Sequence, residues 1–236
     1  YQNLMKIVST GLVEGFYYKP RVDKEVLRKY HEGIICTSAC LAGEVQKYIQ
    51  RGMYEEACRS AKEYEEIFGK GNFFLELQDH GLPEQKQVNQ ALLRMSRELG
   101  IELVATNDIH YTYAEDVKPH DILLCLQTGK RLSDEDRMRY EGGQYYVKSP
   151  EEMARLFPYA LQALENTQKI ADRCNVEIEF GVTKLPKYDV PEGYTSWEYL
   201  NKMCWDGFAE RYPDDDGHLK DQLTYELSFI QKMGYV

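Results

Sequence analysis

Apolar side chains recur along this chain in two rhythms. Leu4, Ile7, Val8 and Leu12 fall at helical spacing, and Gly15 follows where that helix can end. The stretch VDKEVLRKYHEG reads as a second helix, with Asp23 near its start and Gly33 past its end. AGEVQKYIQRG, MYEEACRSAKEYEEIFG and EQKQVNQALLRMSRELG are further helices, the last setting Val88, Ala91, Leu92, Met95 and Leu99 on one stripe. Between the helices lie three short apolar runs, GIICTSAC, NFFLELQDHG and IELVATNDIHY, which read as strands. Strands separated by helices of this length pair in parallel through crossovers, so the pattern predicts an α/β architecture.

Beyond residue 111 the rhythm changes. HDILLCLQTG, SPEEMARLF and ALENTQKIADRCNV are helical, and Ser149, Pro150 and Glu152 make a good helix start. GVTKLPKYDVPEGYTS has Pro and Gly breaks after position 184 and few residues to pack, the pattern of an extended linker. WEYLNKMCWDGFAERY and LKDQLTYELSFIQKMG then predict a helical tail.

Composition narrows the class. With 236 residues, 43% hydrophobic and 29% charged, the chain is an ordinary globular mixture. No apolar run approaches the roughly 20 residues of a membrane span, and the opening YQNLMKIVSTGLVEG lacks the build of a signal peptide. A net charge of −10 argues against broad attraction to a phosphate backbone, although a local basic groove is compatible with it. Cys36, Cys40, Cys58, Cys125, Cys174 and Cys204 are scattered without a CxxC pair, which points to reduced thiols in a cytoplasmic protein. The absence of an initiator Met suggests a piece of something longer.

Each strand ends in reactive residues: Cys40 after the first, Asp79 and His80 after the second, Asp108 and His110 after the third. The carboxyl ends of parallel strands form a ligand-binding rim. Asp108 and His110, two apart on an extended chain, project to one side and suggest a metal site or an acid–base pair. The plainer reading makes Asn107-Asp108 a turn with His110 packed at its edge. Cys40 alone reads more readily as a small buried filler. His80 can be the turn residue before Gly81, with Asp79 its solvated neighbour. His31 suits a helix end, and His120 and His218, in polar helical surroundings, read as surface residues. The 19 tyrosines are scattered and read as structural.

Taken together, CTSACLAGEVQKYIQRGMYEEA, FFLELQDHGLPEQKQVNQAL, LVATNDIHYTYAEDVKPHDILLCLQTGK and YYVKSPEEMARLF resemble the bacterial replicative DNA polymerases of the DNA polymerase III alpha-subunit family. The resemblance runs in order through nearly the whole chain. It implies that residues 1–185 are the later part of a PHP (polymerase and histidinol phosphatase) domain, a distorted β/α barrel. Residues 186–236 would be a linker and the first helices of the polymerase core. It further implies a cluster of divalent metal ions (Zn, Mn or Fe) with Cys40, Asp108 and His110 among the ligands, the remaining ligands lying upstream of Tyr1. His80 has no established ligand counterpart to carry over from the family and stays a rim or substrate-facing candidate. Such a site implies 3′–5′ exonuclease proofreading, and the intact family implies Mg for polymerisation. The implied partners are DNA, deoxynucleotides and other replicase subunits, among them a proofreading exonuclease subunit, with no membrane. The catalytic carboxylates of the polymerase are not expected within these residues. Two other readings remain: a free-standing PHP phosphoesterase such as a histidinol phosphatase, and a metal-free structural docking domain. The segment from Pro191 to Val236 favours the polymerase over the small phosphatase.

Overall fold

Local sequence signals set most of the element boundaries. Helix α1 spans Gln2–Val13 and α2 spans Lys24–Tyr30, the latter capped by the Asp23 carboxylate, which accepts from the Val26 N–H at 2.9 Å. Strand β1 (Cys36–Thr37), helices α3 (Glu44–Gln50) and α4 (Tyr54–Phe68), and strand β2 (Phe73–Leu77) follow. Helix α5 (Pro83–Leu99) begins on a proline and closes at Gly100, whose φ of +72° a Cβ-bearing residue adopts only under strain. Then come β3 (Leu103–Ala105), α6 (Val117–Thr128), α7 (Pro150–Leu156) and α8 (Leu161–Arg173). The start expected at Ser149 is present: its hydroxyl accepts from the Glu152 N–H at 3.2 Å, and Glu152 accepts from the Ser149 N–H at 2.8 Å. Helices α9 (Ser196–Arg211) and α10 (His218–Lys232) complete the order. The computed structural model describes residues 1–182 and 185–236, which divide into two units, Tyr1–Glu177 and Ile178–Val236.

In the first unit the three described strands form a parallel sheet in the order β1-β2-β3. Cys36 pairs with Phe73, and Leu75, Glu76 and Leu77 pair with Leu103, Val104 and Ala105. The crossovers run through α3 and α4 on one connection and α5 on the other, the α/β arrangement read from the pattern. β2 is central, so it must be apolar on both faces; Phe73, Phe74, Leu75 and Leu77 are buried accordingly. Val45 and Ile49 of α3, Ala57 and Ala61 of α4, Val88, Leu92 and Met95 of α5, and Phe157 join them in one core.

Two expectations need correction. The strands are shorter than the apolar runs, because β1 stops at Thr37 and β3 at Ala105, where polar side chains begin to bond across the sheet edge. Asp108 and His110 therefore lie in a loop and not on an extended strand. Helix α1 has the right period, but Leu4, Val8 and Leu12 are exposed and Ile7 is the stripe's one buried member. That helix lies beside the short α2 at the surface, which covers only a narrow face.

An ion cluster fastens α2 to the next two helices. Lys24 bonds Glu44 and Glu63 at 2.7 Å each, and Arg28 bonds Glu63 at 2.6 Å. Ser60 and Tyr64 also donate to Glu44. Burial works to raise the Glu44 carboxyl, but these bonds outweigh it and hold the group below its ordinary value.

In the second unit, Thr195 and Glu198 cap α9 reciprocally, Leu227 of α10 is buried, and Tyr188 stacks on Tyr199 with ring centres 6.1 Å apart. The expected linker includes Thr183 and Lys184, which lie outside the described residues; Leu185–Tyr194 carries neither helix nor strand. All six cysteines are free, and no described helix is long and apolar enough to cross a membrane.

Candidate functional site

Parallel pairing brings the ends of β1, β2 and β3 to one edge of the sheet, so the segments bearing Cys40, His80 and Asp108 leave it on the same side. A polar latch ties the three ends together. The Glu76 carboxylate in β2 accepts from the Thr37 hydroxyl at 2.5 Å and from the Thr106 hydroxyl, while Gln78 reaches both Glu76 and Thr106. The Ser38 hydroxyl accepts from the Glu76 N–H at 2.9 Å and from the Gln46 amide at 2.7 Å. Burial, with the Glu76 charge beside it, pushes the Cys36 thiol up to about 11 and leaves it protonated at neutral pH.

The loop after β3 is held from several sides. Asp108 sits at φ +46°, a left-handed conformation that aspartate tolerates better than most residues. Beneath it His80 is 3% exposed, with its ring stacked on Tyr145 at 4.1 Å. The His80 N–H must donate, so it takes the Gln85 side-chain oxygen, at 2.7 Å. That turns the Gln85 amide NH2 to His80 Nδ1, at 2.9 Å. Nδ1 therefore accepts, Nε2 carries the proton, and it donates to the Asn107 carbonyl at 2.7 Å. On the other side, Asn107 donates to the Tyr146 carbonyl at 2.6 Å and accepts from Lys148 Nζ at 3.0 Å. The Lys148 ammonium is lowered by burial, which outweighs the opposing charges of Glu152 and Asp79. The His110 N–H bonds the Tyr145 carbonyl at 2.8 Å, and burial with the nearby Asp108 charge raises the Tyr145 phenol.

These restraints bring Asp108 Oδ1 within 3.3 Å of His110 Nε2, on side chains 44% and 29% exposed. The turn is present, and it sets the two side chains side by side. Cys40 leaves the same edge and is exposed, yet no three His, Cys, Asp or Glu side chains among the described residues are grouped to hold a metal ion. A catalytic zinc ordinarily takes three protein ligands, so the described residues offer a pair and not a complete shell. What the pair can do unaided is exchange a proton and bond a water or phosphoryl oxygen. His80, with both ring nitrogens engaged, braces the loop from inside. Asp79 accepts from the Gly81 N–H at 2.9 Å, a turn of its own making. His31 caps α2 with Nδ1 2.7 Å from the Arg28 carbonyl, and His218 is exposed.

His120 departs from the surface reading. It is half-buried on α6, its ring 5.7 Å from that of His110, 5.2 Å from Tyr111 and 5.3 Å from Tyr140. Tyr140 in turn lies 4.2 Å from His110. Neither Tyr140 nor Lys148 carried a spacing signal, because each meets the site across 30 or more residues of chain. Glu76 did carry one: a lone carboxylate inside an otherwise apolar central strand.

Residues 1–80 match the family model described as the PHP domain. Along its whole length the chain is similar to the DNA polymerase III subunit alpha of several bacteria. With that of Borreliella burgdorferi it is 44% identical over 237 residues, covering 100% of this chain and 21% of the relative. With that of Treponema pallidum it is 43% identical over 237 residues, covering 100% and 20%. With that of Helicobacter pylori strain J99 it is 45% identical over 264 residues, covering 100% and 22%. The chain thus spans about a fifth of the length of the curated relatives it matches.

Proposed function

We propose that this chain, a homologue over its whole length of one segment of DNA polymerase III subunit alpha, serves within a replicative DNA polymerase. The observation that carries the reading is the similarity across 100% of the chain at 43–45% identity. In this reading residues 1–185 are the later part of a PHP domain, its three-stranded sheet a portion of a distorted barrel. Residues 186–236 lead into the polymerase core. DNA, deoxynucleotides and the other replicase subunits, including a proofreading exonuclease subunit, are then the partners, and the setting is cytoplasmic.

Asp108 and His110 are read as two donors of a larger metal shell completed by the rest of the polymerase, with Cys40 as a third from the same sheet edge. Imidazole and carboxylate suit Zn, Mn or Fe, and a thiolate favours the softer ions. Ions of this kind, when bound, serve phosphodiester hydrolysis such as 3′–5′ proofreading. The contribution of this chain is to hold Asp108 and His110 at a fixed separation through His80, Asn107 and Lys148.

The test grafts this chain in place of the matching segment of the Borreliella burgdorferi subunit. Template-directed incorporation of deoxynucleotides near the parent rate supports the reading. A folded graft without incorporation overturns it. Incorporation without any 3′–5′ hydrolysis, with or without added Zn or Mn, favours the structural docking role over the hydrolytic one.

A further inference from the structure

Beside the Asp108–His110 pair, α6 and the loop that follows it enclose a cleft of about 540 Å³. That is within the range of small-ligand sites and large enough for one nucleotide. Lys118 and His120 of α6 form one wall; Leu132, Arg139 and Tyr140 of the loop form the other. The Tyr140 ring connects the cleft to the rim pair, lying 4.2 Å from His110 and 5.3 Å from His120.

Among its described lining side chains the cleft sets two cations, Lys118 and Arg139, against one carboxylate. Its carboxylate, Asp121, is held by both arms of Arg137, at 2.5 and 2.7 Å, and that guanidinium keeps it ionised and neutralised. Arg139 donates to the backbone carbonyl of Asp134, and its charge acts on the Asp121 carboxylate that Arg137 already holds. Lys118 is exposed. Two cations, two aromatic rings and an apolar edge at Leu132 are the elements with which proteins hold single-stranded nucleic acid, phosphate on cation and base on ring.

We propose that this cleft binds the terminal nucleotide unit of a DNA single strand, with phosphate at Lys118 and Arg139 and base against Tyr140 and His120. The phosphodiester then lies toward Asp108 and His110. The proposal rests on the reading of that pair given above and adds to it the substrate subsite. The chain's net charge of −10 makes the assignment testable, because diffuse attraction to DNA is weak and binding must come from a local site.

The experiment measures binding of a fluorescein-labelled six-residue oligothymidylate to the full 236-residue chain by anisotropy at low salt. Lys118→Glu should weaken binding about tenfold and flatten the dependence of log affinity on log salt by about 0.7. Tyr140→Ala should weaken it about tenfold, while Tyr140→Phe, which keeps the ring, should stay within about twofold of the unaltered chain. Lys220→Ala, in the second unit, should leave it unchanged. Unaltered binding in Lys118→Glu and Tyr140→Ala chains of normal circular dichroism overturns the proposal, as does absence of binding by the unaltered chain. Either failure leaves the graft experiment standing, and a graft without incorporation leaves the binding result standing, so the two readings fail separately.

Discussion

The interior around β2 and the rim above it are built on different principles. In the interior Phe73, Leu75, Leu77, Leu92 and Phe157 are each at most 1% exposed, and stability there is the sum of many non-directional contacts. At the rim, position depends on a few directional bonds: His80 to Asn107, Asn107 to Tyr146, Lys148 to Asn107, and the Glu76 latch. The interior tolerates conservative exchange at modest cost. The rim does not, because a lost partner leaves a buried polar group unsatisfied.

The largest effect should come from the interior. Leu92→Ala opens a cavity in the fully buried face of α5 and should cost about 3–5 kcal/mol in denaturant unfolding of the chain. It should leave the geometry of the Asp108 loop intact, which the His110 and His120 ring resonances in NMR can report. His80→Ala should cost less, about 2 kcal/mol, by deleting two hydrogen bonds and a stacked ring. Its mark should be local: faster amide exchange at His110 than at Leu75. Equal loss of protection at both positions would erase the distinction between rim and interior.

The smallest effect belongs to the ion cluster outside both regions. Glu44→Gln should cost about 1 kcal/mol at neutral pH, the scale of a partly exposed pair. The sign of its pH dependence follows from the lowered carboxyls of Glu44 and Glu63. Their stabilisation is present above the ordinary value of 4.5 and fades as pH falls through the lower folded value. The melting temperature of the unaltered chain should therefore converge on that of Glu44→Gln below pH 4.5, and a gap that persists in acid would contradict the assignment.

The same contrast explains what could be read from the sequence. The interior was legible: the stripe from Val88 to Leu99 and the continuous FFLEL run state burial by period alone, and the parallel order followed from the helices between strands. The rim was half legible. Asp108 and His110 announced themselves by type and spacing, although the expected reason, an extended strand, was replaced by a left-handed turn. The bracing of that turn was hidden, because a hydrogen bond from Lys148 to Asn107 spans 41 residues and no periodicity encodes it. His80 looked like an ordinary turn residue because its burial depends on Tyr145, which arrives from a distant loop. Helix α1 shows the opposite failure, since period identifies a helix without saying how much of its stripe a neighbour covers.

In the proposed function the braced rim pair serves hydrolytic chemistry separate from nucleotide addition. The direct measurement is a paired assay on the polymerase graft carrying Asp108→Asn and His110→Ala together, with thermal melting alongside. The 3′–5′ exonuclease rate should fall at least about a hundredfold, on the order expected when metal ligands or an acid–base group are removed, with incorporation near that of the unaltered graft. Equal loss of both rates in a graft that melts normally would contradict the separation, and an unchanged exonuclease rate would show that the pair does not carry the chemistry.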